Sequence, residues 1–211
     1  MENKKEIIAG IIIIGNEILS GRTQDTNTKT ISLWLNTIGI QVTEVKIIPD
    51  IEETIIDTVN NFKKRFNYVF TSGGIGPTHD DITAVSVSKA FNIEYGPHEE
   101  AMKILENYYE SGEFSKGRQK MAHMPISAKL IYNPSSGAPG FSVENVYCLP
   151  GVPSILKSMI GGITNELVGG DPIISHTLSL RTVESEISVP LEKVQNKYKN
   201  IEIGSYPFFK Q

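Results

Sequence analysis

The sequence predicts an α/β protein built on a mostly parallel, doubly wound sheet, with a partial α+β appendage at the C-terminal end. Three observations predict it. The run Ile7–Ile14 is apolar throughout and rich in β-branched residues, as a strand buried on both faces of a parallel sheet must be. Strand-like runs then alternate with segments whose apolar residues recur at helical spacing, the βαβ signature. Glycine and proline are also clumped: four fall in Ser72–Thr78 and seven in Asn133–Pro153, out of 18 glycines and 11 prolines in 211 residues.

Taken in order, the first strand is followed by a polar loop, residues 15–26. Ile31, Trp34, Leu35 and Ile38 then mark one helical face, with Gly39 as its stop signal. Val42–Ile48 reads as the second strand. Asp50, with Glu53 three residues on, reads as a capping opening to a helix bearing Ile51, Ile55, Val59, Phe62 and Phe66. Tyr68–Thr71 is a short third strand, and a helix follows from near Asp81 to just before Asn92. Pro97 suits the first turn of a helix whose face is Ala101, Ile104, Leu105 and Tyr108. Residues 111–124 are polar and irregular. Lys129–Tyr132 and Val146–Leu149 read as strands, and Pro153 opens a helix running to about Val168. These elements place a main domain in residues 1–170. In 171–211 the pattern changes: strand-like alternation over Ser175–Val183, a helix over Ile187–Tyr198 and a strand over Ile201–Tyr206. That reads as the start of a small appendage, truncated after its second strand.

Composition narrows the function classes. A formal net charge of −4 disfavours sequence-independent nucleic-acid binding, which wants a basic field. The single cysteine, Cys148, excludes a disulfide framework and a multi-cysteine zinc site, and its place in a strand makes it a core residue. The eight-residue apolar run near the start is far short of the roughly 20 residues of a membrane span, and no cleavage site follows it. The expectation is a cytoplasmic protein with no nucleic-acid or membrane partner.

The most informative stretch is Thr71-Ser-Gly-Gly-Ile-Gly-Pro-Thr-His-Asp-Asp-Ile-Thr83. Glycines leaving a parallel strand accept backbone angles other residues resist and let amide N–H groups approach an anion. A helix start just downstream adds donors and a positive dipole end. Strand carboxyl ends are where open α/β sheets bind ligands. Ser72, Gly73, Gly74, Gly76 and Thr78 are therefore candidate ligand contacts; the bland alternative is a tight turn with an aspartate cap. Acids beside a phosphate loop repel the phosphate unless a cation intervenes, so Asp80 and Asp81 are candidate ligands of a divalent metal, Mg²⁺, Mn²⁺ or Co²⁺. They could equally be caps and solvated charges. His79 reads as incidental.

The loop after the first strand lies on the same edge. Arg22 offers a fork to phosphate, and Asp25 and Asn27 open the next helix as either ligand contacts or caps. Asp50 follows the second strand on that edge. The second cluster contributes Ser136, Gly137, Pro150 and Gly151, with Ser135, Ser136 and Gly137 as possible donors. Arg118, Lys120 and His123 could form a lid or a basic wall, Arg118 reading more readily as a solvated charge. The Gly-x-Gly-x-x-Gly, Walker-type and Gly-x-Ser-x-Gly patterns are absent, which disfavours dehydrogenase, P-loop and α/β-hydrolase readings.

Together, Gly15-Asn-Glu-Ile-Leu with Thr23-Gln-Asp-Thr-Asn27, Gly73-Gly-Ile-Gly-Pro-Thr-His-Asp-Asp81, Asn133-Pro…Ala138-Pro-Gly-Phe141 and Leu149-Pro-Gly-Val-Pro153 resemble the MoaB/Mog-type, molybdopterin-binding-like domain. The branch they resemble most is the N-terminal domain of CinA (competence/damage-inducible protein A) and the similar domain of eukaryotic FAD synthases. The resemblance implies a three-layer α/β fold that self-associates as a dimer or trimer and binds a pterin or nucleotide at the sheet's carboxyl edge. In the Mog-type branch, acids matching Asp50 and Asp81 bind substrate or promote chemistry, with molybdopterin as the ligand. In the CinA branch the resemblance implies a metal-dependent pyrophosphatase acting on ADP-ribose or FAD. For such a hydrolase Asp80 and Asp81 would hold the metal and Asp25, Glu17 or Asp50 would orient or deprotonate the attacking water, which makes Asp81, Asp50 and Asp25 the catalytic candidates. The amidase domain common in CinA proteins and the adenylyltransferase domain of FAD synthases have no counterpart in these residues, so neither deamidation nor FAD synthesis is expected of them.

Overall fold

A computed structural model of the chain describes residues 6–172 and 174–208. The chain divides into two compact units, Met1–Ile173 and Ile174–Gln211.

The first unit is organised by a six-stranded sheet. Its strands are β1 (Ile8–Ile14), β2 (Gln41–Ile48), β3 (Tyr68–Ser72), β6 (Lys129–Ile131), β7 (Gly140–Val143) and β8 (Val146–Leu149), in spatial order β2-β1-β3-β8-β7-β6. The first four in that order are parallel, while β7 and β6 join as antiparallel hairpins at one edge. β4 (Tyr95–Pro97) and β5 (His123–Pro125) form a separate antiparallel pair. The helices are α1 (Asn16–Leu19), α2 (Asn27–Thr37), α3 (Glu52–Arg65), α4 (Thr83–Phe91), α5 (Glu99–Tyr108), α6 (Lys116–Lys120) and α7 (Pro153–Ile163), the last continued by a 3-10 turn at Thr164–Glu166.

The apolar run of β1 shows why the sheet is covered twice. Ile12 and Ile14 enter a core with Ile55, Val59 and Phe62 of α3 and Val87 of α4. Ile11 and Ile13 enter a second core with Ile31 and Leu35 of α2 and Leu156, Met159 and Ile160 of α7. Successive side chains of a strand point to opposite faces, so alternate isoleucines serve both layers. The result is a three-layer α/β unit.

Several local expectations need correction. The turn-rich stretch between β6 and β8 holds a further strand, β7, and Glu144, at a positive φ of 50°, turns the chain back from it into β8. Pro97 ends β4 instead of opening α5, which His98 caps by accepting from the Ala101 N–H at 3.4 Å. Residues 111–124 hold α6 and the start of β5. Cys148 is fully buried in β8, as expected of a core residue, and burial pushes its thiol pKa up to about 12.

The second unit contains α8 (Glu184–Lys197). Among its described residues, the alternating segments Ser175–Val183 and Ile201–Tyr206 form no strand. A strand is defined by ladder hydrogen bonds to a neighbour, and neither segment finds one there. Among the described residues no helix is long and apolar enough to cross a membrane.

Candidate functional site

The carboxyl ends of β2, β1, β3 and β8 lie side by side, and each runs directly into one of the loops singled out above. β7 runs antiparallel to β8, with Phe141 opposite Cys148. Its start, and the 132–139 loop before it, therefore fall on the same edge.

The β3–α4 loop is shaped by close backbone approach. Gly73 has φ 109°, and a Cβ there would lie 2.1 Å from the Ile14 carbonyl oxygen, so only glycine lets this loop pass β1. The Gly73 amide donates to the Leu149 carbonyl (3.1 Å), so this glycine shapes the turn and its N–H is spent on β8. The Thr83 amide donates to the Gly74 carbonyl, and its hydroxyl to the Gly73 carbonyl, both at 2.9 Å. Among the described residues the amides of Gly74, Ile75 and Gly76 meet no acceptor. They are donors of this loop that remain for an anion.

At the far end of the loop the Thr78 hydroxyl stands 2.5 Å from Asp80 Oδ1 and 2.5 Å from Asp81 Oδ2. The Thr78 amide also donates to Asp81 Oδ2 (2.7 Å). That hydroxyl, together with the backbone N–H of Asp80, holds the Asp80 carboxyl below its ordinary pKa; His79 and Lys120 contribute further. His79 itself is almost fully exposed. Asp81 folds back against Gly76, where a Cβ would lie 2.7 Å from its carboxylate. Lys120 of α6 donates to the Thr78 carbonyl.

Asn27 joins three of the edge loops. Its Nδ2 donates to Ser72 Oγ (2.8 Å) and to the Gly151 carbonyl (2.7 Å), while Ser72 donates onward to the Pro150 carbonyl (3.2 Å). Asn27 is 6 % exposed, and its Oδ1 is buried without a partner. Asp25 accepts from the Asn27 and Thr28 amides (2.9 and 3.1 Å), which is the cap reading. Asp50 is a different case. The capping role at α3 is not realised: α3 is capped at Ile51, and Asp50 Oδ2 instead accepts from the Asn16 amide (2.9 Å), tying the β2 and β1 ends together. Glu17 turns back on Gly15 in the same corner.

The backbone amides of Ser135, Ser136 and Gly137 are taken up inside their own loop, which leaves the two serine hydroxyls as its donors. Buried Asn133 takes the Ser135 and Ser136 amides on its Oδ1 (2.9 and 3.1 Å), its Nδ2 donates to Ser136 Oγ (2.7 Å), and its carbonyl takes the Gly137 amide (3.3 Å). A buried asparagine satisfies its own loop first. Arg118 pairs with Glu113 at 2.8 Å and stacks over the Tyr109 ring, and Arg22 lies exposed in the turn after α1. Two residues lacked a clear sequence signal. Thr83, which stitches the glycine loop, carried only the usual threonine preference for helix starts. Tyr108 reads as an apolar helix position, yet it is half-exposed and packs across Gly137.

A metal at the Asp80–Asp81 pair suits the donors present. One hydroxyl proton cannot satisfy two carboxylates, and the donors are hard oxygens of the kind Mg²⁺ and Mn²⁺ prefer. Among the described residues no group of three or more His, Cys, Asp or Glu gathers. The protein would thus supply two carboxylates, and ligand phosphate and water the remainder.

The fold and this edge define a class: an α/β domain that presents a glycine-rich, acid-flanked loop at the carboxyl end of a parallel sheet. Residues 10–169 match the model of a family described as a probable molybdopterin binding domain, and the chain belongs to that family. Residues 172–211 match the middle domain of FAD synthase. A protein of Archaeoglobus fulgidus is 32 % identical over 197 residues, spanning 93 % of this chain and 84 % of the relative. The crystal structure of CinA from Thermoplasma acidophilum, a protein of unknown function, superposes with a TM-score of 0.71 at 31 % identity, covering 77 % of this chain and 99 % of that one. The tungsten cofactor synthesizing protein MoaB from Pyrococcus furiosus shares the fold, with a TM-score of 0.51 at 22 % identity over 77 % and 92 % of the two chains.

Proposed function

We propose that the first unit is a divalent-metal-dependent hydrolase of a nucleotide pyrophosphate, of the ADP-ribose or FAD kind. The observation that carries this reading is the Thr78 hydroxyl shared between Asp80 and Asp81 at the end of a loop with free amides. The Gly74, Ile75 and Gly76 amides bind phosphate oxygens, while Asp80 and Asp81 hold the metal. The bound cation would neutralise phosphate charge and lower the pKa of an attacking water. Asp50 has one oxygen fixed by the Asn16 amide and its other oxygen without a protein partner among the described residues, which suits a group that orients and deprotonates water. Asp25 acts through its cap on α2, placing Asn27. Similarity of residues 172–211 to the FAD synthase middle domain supports a nucleotide ligand. The reading includes a homo-oligomer, which is what the resemblance noted in the sequence implies.

The test is incubation with ADP-ribose and FAD in the presence of Mg²⁺, Mn²⁺ or Co²⁺, with product analysis. AMP release that EDTA and Asp81→Ala abolish is expected. No release above the Asp81→Ala control refutes hydrolysis. A second reading follows from the family model: binding of molybdopterin or an adenylated pterin without hydrolysis. It predicts pterin binding that a chelator leaves unchanged.

A further inference from the structure

Lys120 reaches the candidate ligand loop from outside it. It is the last residue of α6, and its Nζ donates to the carbonyl oxygen of Thr78, 42 positions away in sequence. Thr78 is the residue whose hydroxyl stands between Asp80 and Asp81, so the ammonium sits at the carboxylate end of the loop. The neighbouring cation on α6 is committed elsewhere, Arg118 being held by Glu113 and Tyr109. Among the described residues, Lys120 is the one lysine or arginine bonded to Ser72–Asp81. A carbonyl is a modest partner for an ammonium, and a phosphate oxygen makes the stronger, charge-assisted bond. A lysine stem is also long and flexible enough to exchange one for the other.

We propose that Lys120 is a phosphate ligand of this site, parked on the Thr78 carbonyl and transferring to the phosphate oxygens of a pyrophosphate-bearing ligand seated on the glycine loop. α6 thereby becomes one wall of the binding site, and the ligand class is narrowed to one carrying phosphate at the Asp80–Asp81 end. The proposal rests on the phosphate-binding part of the reading above and is independent of hydrolysis.

The experiment titrates inorganic pyrophosphate and ADP-ribose into the full chain by calorimetry, with and without Mg²⁺, for wild type, Lys120→Arg, Lys120→Gln and Lys120→Met. Glutamine keeps a neutral donor for the Thr78 carbonyl, so it separates a loop tie from a charge. Neutral variants are expected to bind about tenfold or more weakly, the worth of a hydrogen bond to a charged group, while Lys120→Arg retains most of the affinity. Should the neutral variants unfold, protection of Lys120 in the wild-type chain from amine-reactive labelling by pyrophosphate gives the same answer. Wild-type affinity in Lys120→Gln, unprotected Lys120, or a wild-type chain that binds neither probe overturns the proposal. Weakened binding in the neutral variants, with no AMP formed from any substrate, sustains Lys120 and overturns hydrolysis instead.

Discussion

Replacing Asn27 with alanine tests the joint that holds the site's loops together. The side chain spans the start of α2, the end of β3 and the β8–α7 turn through two hydrogen bonds, to Ser72 and to Gly151. Each such bond contributes about 0.5–1.5 kcal/mol net, so their loss costs about 1–3 kcal/mol. For a chain of this size about 1 kcal/mol corresponds to 2–4 °C, which places the expected drop in melting temperature at about 2–12 °C. The single tryptophan, Trp34, lies on the same helix with its ring edge-on to Phe70 at 5.5 Å, so its fluorescence follows unfolding of this unit in heat or urea. Asn27→Asp sharpens the test. A carboxylate oxygen would replace Nδ2 opposite the Gly151 carbonyl, an acceptor facing an acceptor. Burial favours the protonated form and raises the folded-state pKa above the unfolded value, so the deficit grows as pH rises from about 4. A melting temperature within about 1 °C of wild type for Asn27→Ala, or a pH-independent deficit for Asn27→Asp, would refute the joint.

Gly73→Ala places a methyl group 2.1 Å from the Ile14 carbonyl at a φ of 109°; a loss of about 3 kcal/mol or more is expected in urea denaturation, and near-wild-type stability would show that the loop does not pass β1 this closely. Thr78→Val removes the hydroxyl that chiefly holds Asp80 low. Its carboxyl should then titrate at higher pH by NMR. Because the depressed pKa contributes stability above the unfolded value and loses it as pH falls through the folded one, the variant should also lose less stability on acidification; an unmoved Asp80 titration contradicts the shared hydroxyl. Cys148, with its thiol pushed up to about 12, should resist thiol reagents at pH 8 in the folded chain and react on unfolding; rapid labelling of native protein would place it outside the core.

Much of the layer architecture was legible in the sequence because burial on both faces leaves a mark along the chain. Only a strand covered twice tolerates Ile11–Ile14 without a polar break, and Ile31 with Leu35 or Ile55 with Val59 and Phe62 repeat at the helical period their cores require. The glycine loop was legible too, since a chain that must pass the Ile14 carbonyl can carry no side chain at Gly73. Partner choice was not. Asp50 followed by Glu53 has the form of a helix cap, and local spacing cannot reveal that the donor it meets is the Asn16 amide at the start of α1, beyond the end of the neighbouring strand. Asn133 likewise took the serine backbone amides that looked available. The alternating segments 175–183 and 201–206 carry strand periodicity, but a ladder needs a neighbour, and periodicity does not supply one. Lys120 was one of three basic residues in an irregular stretch; only the packing of α6 set it apart by bringing it to Thr78. The sequence by itself determined which segments are buried and where the chain must bend, because those demands fall on each residue's own chemistry. The tertiary structure alone decided which polar groups meet, because hydrogen-bond partners are chosen by proximity across the sheet edge and not by distance along the chain.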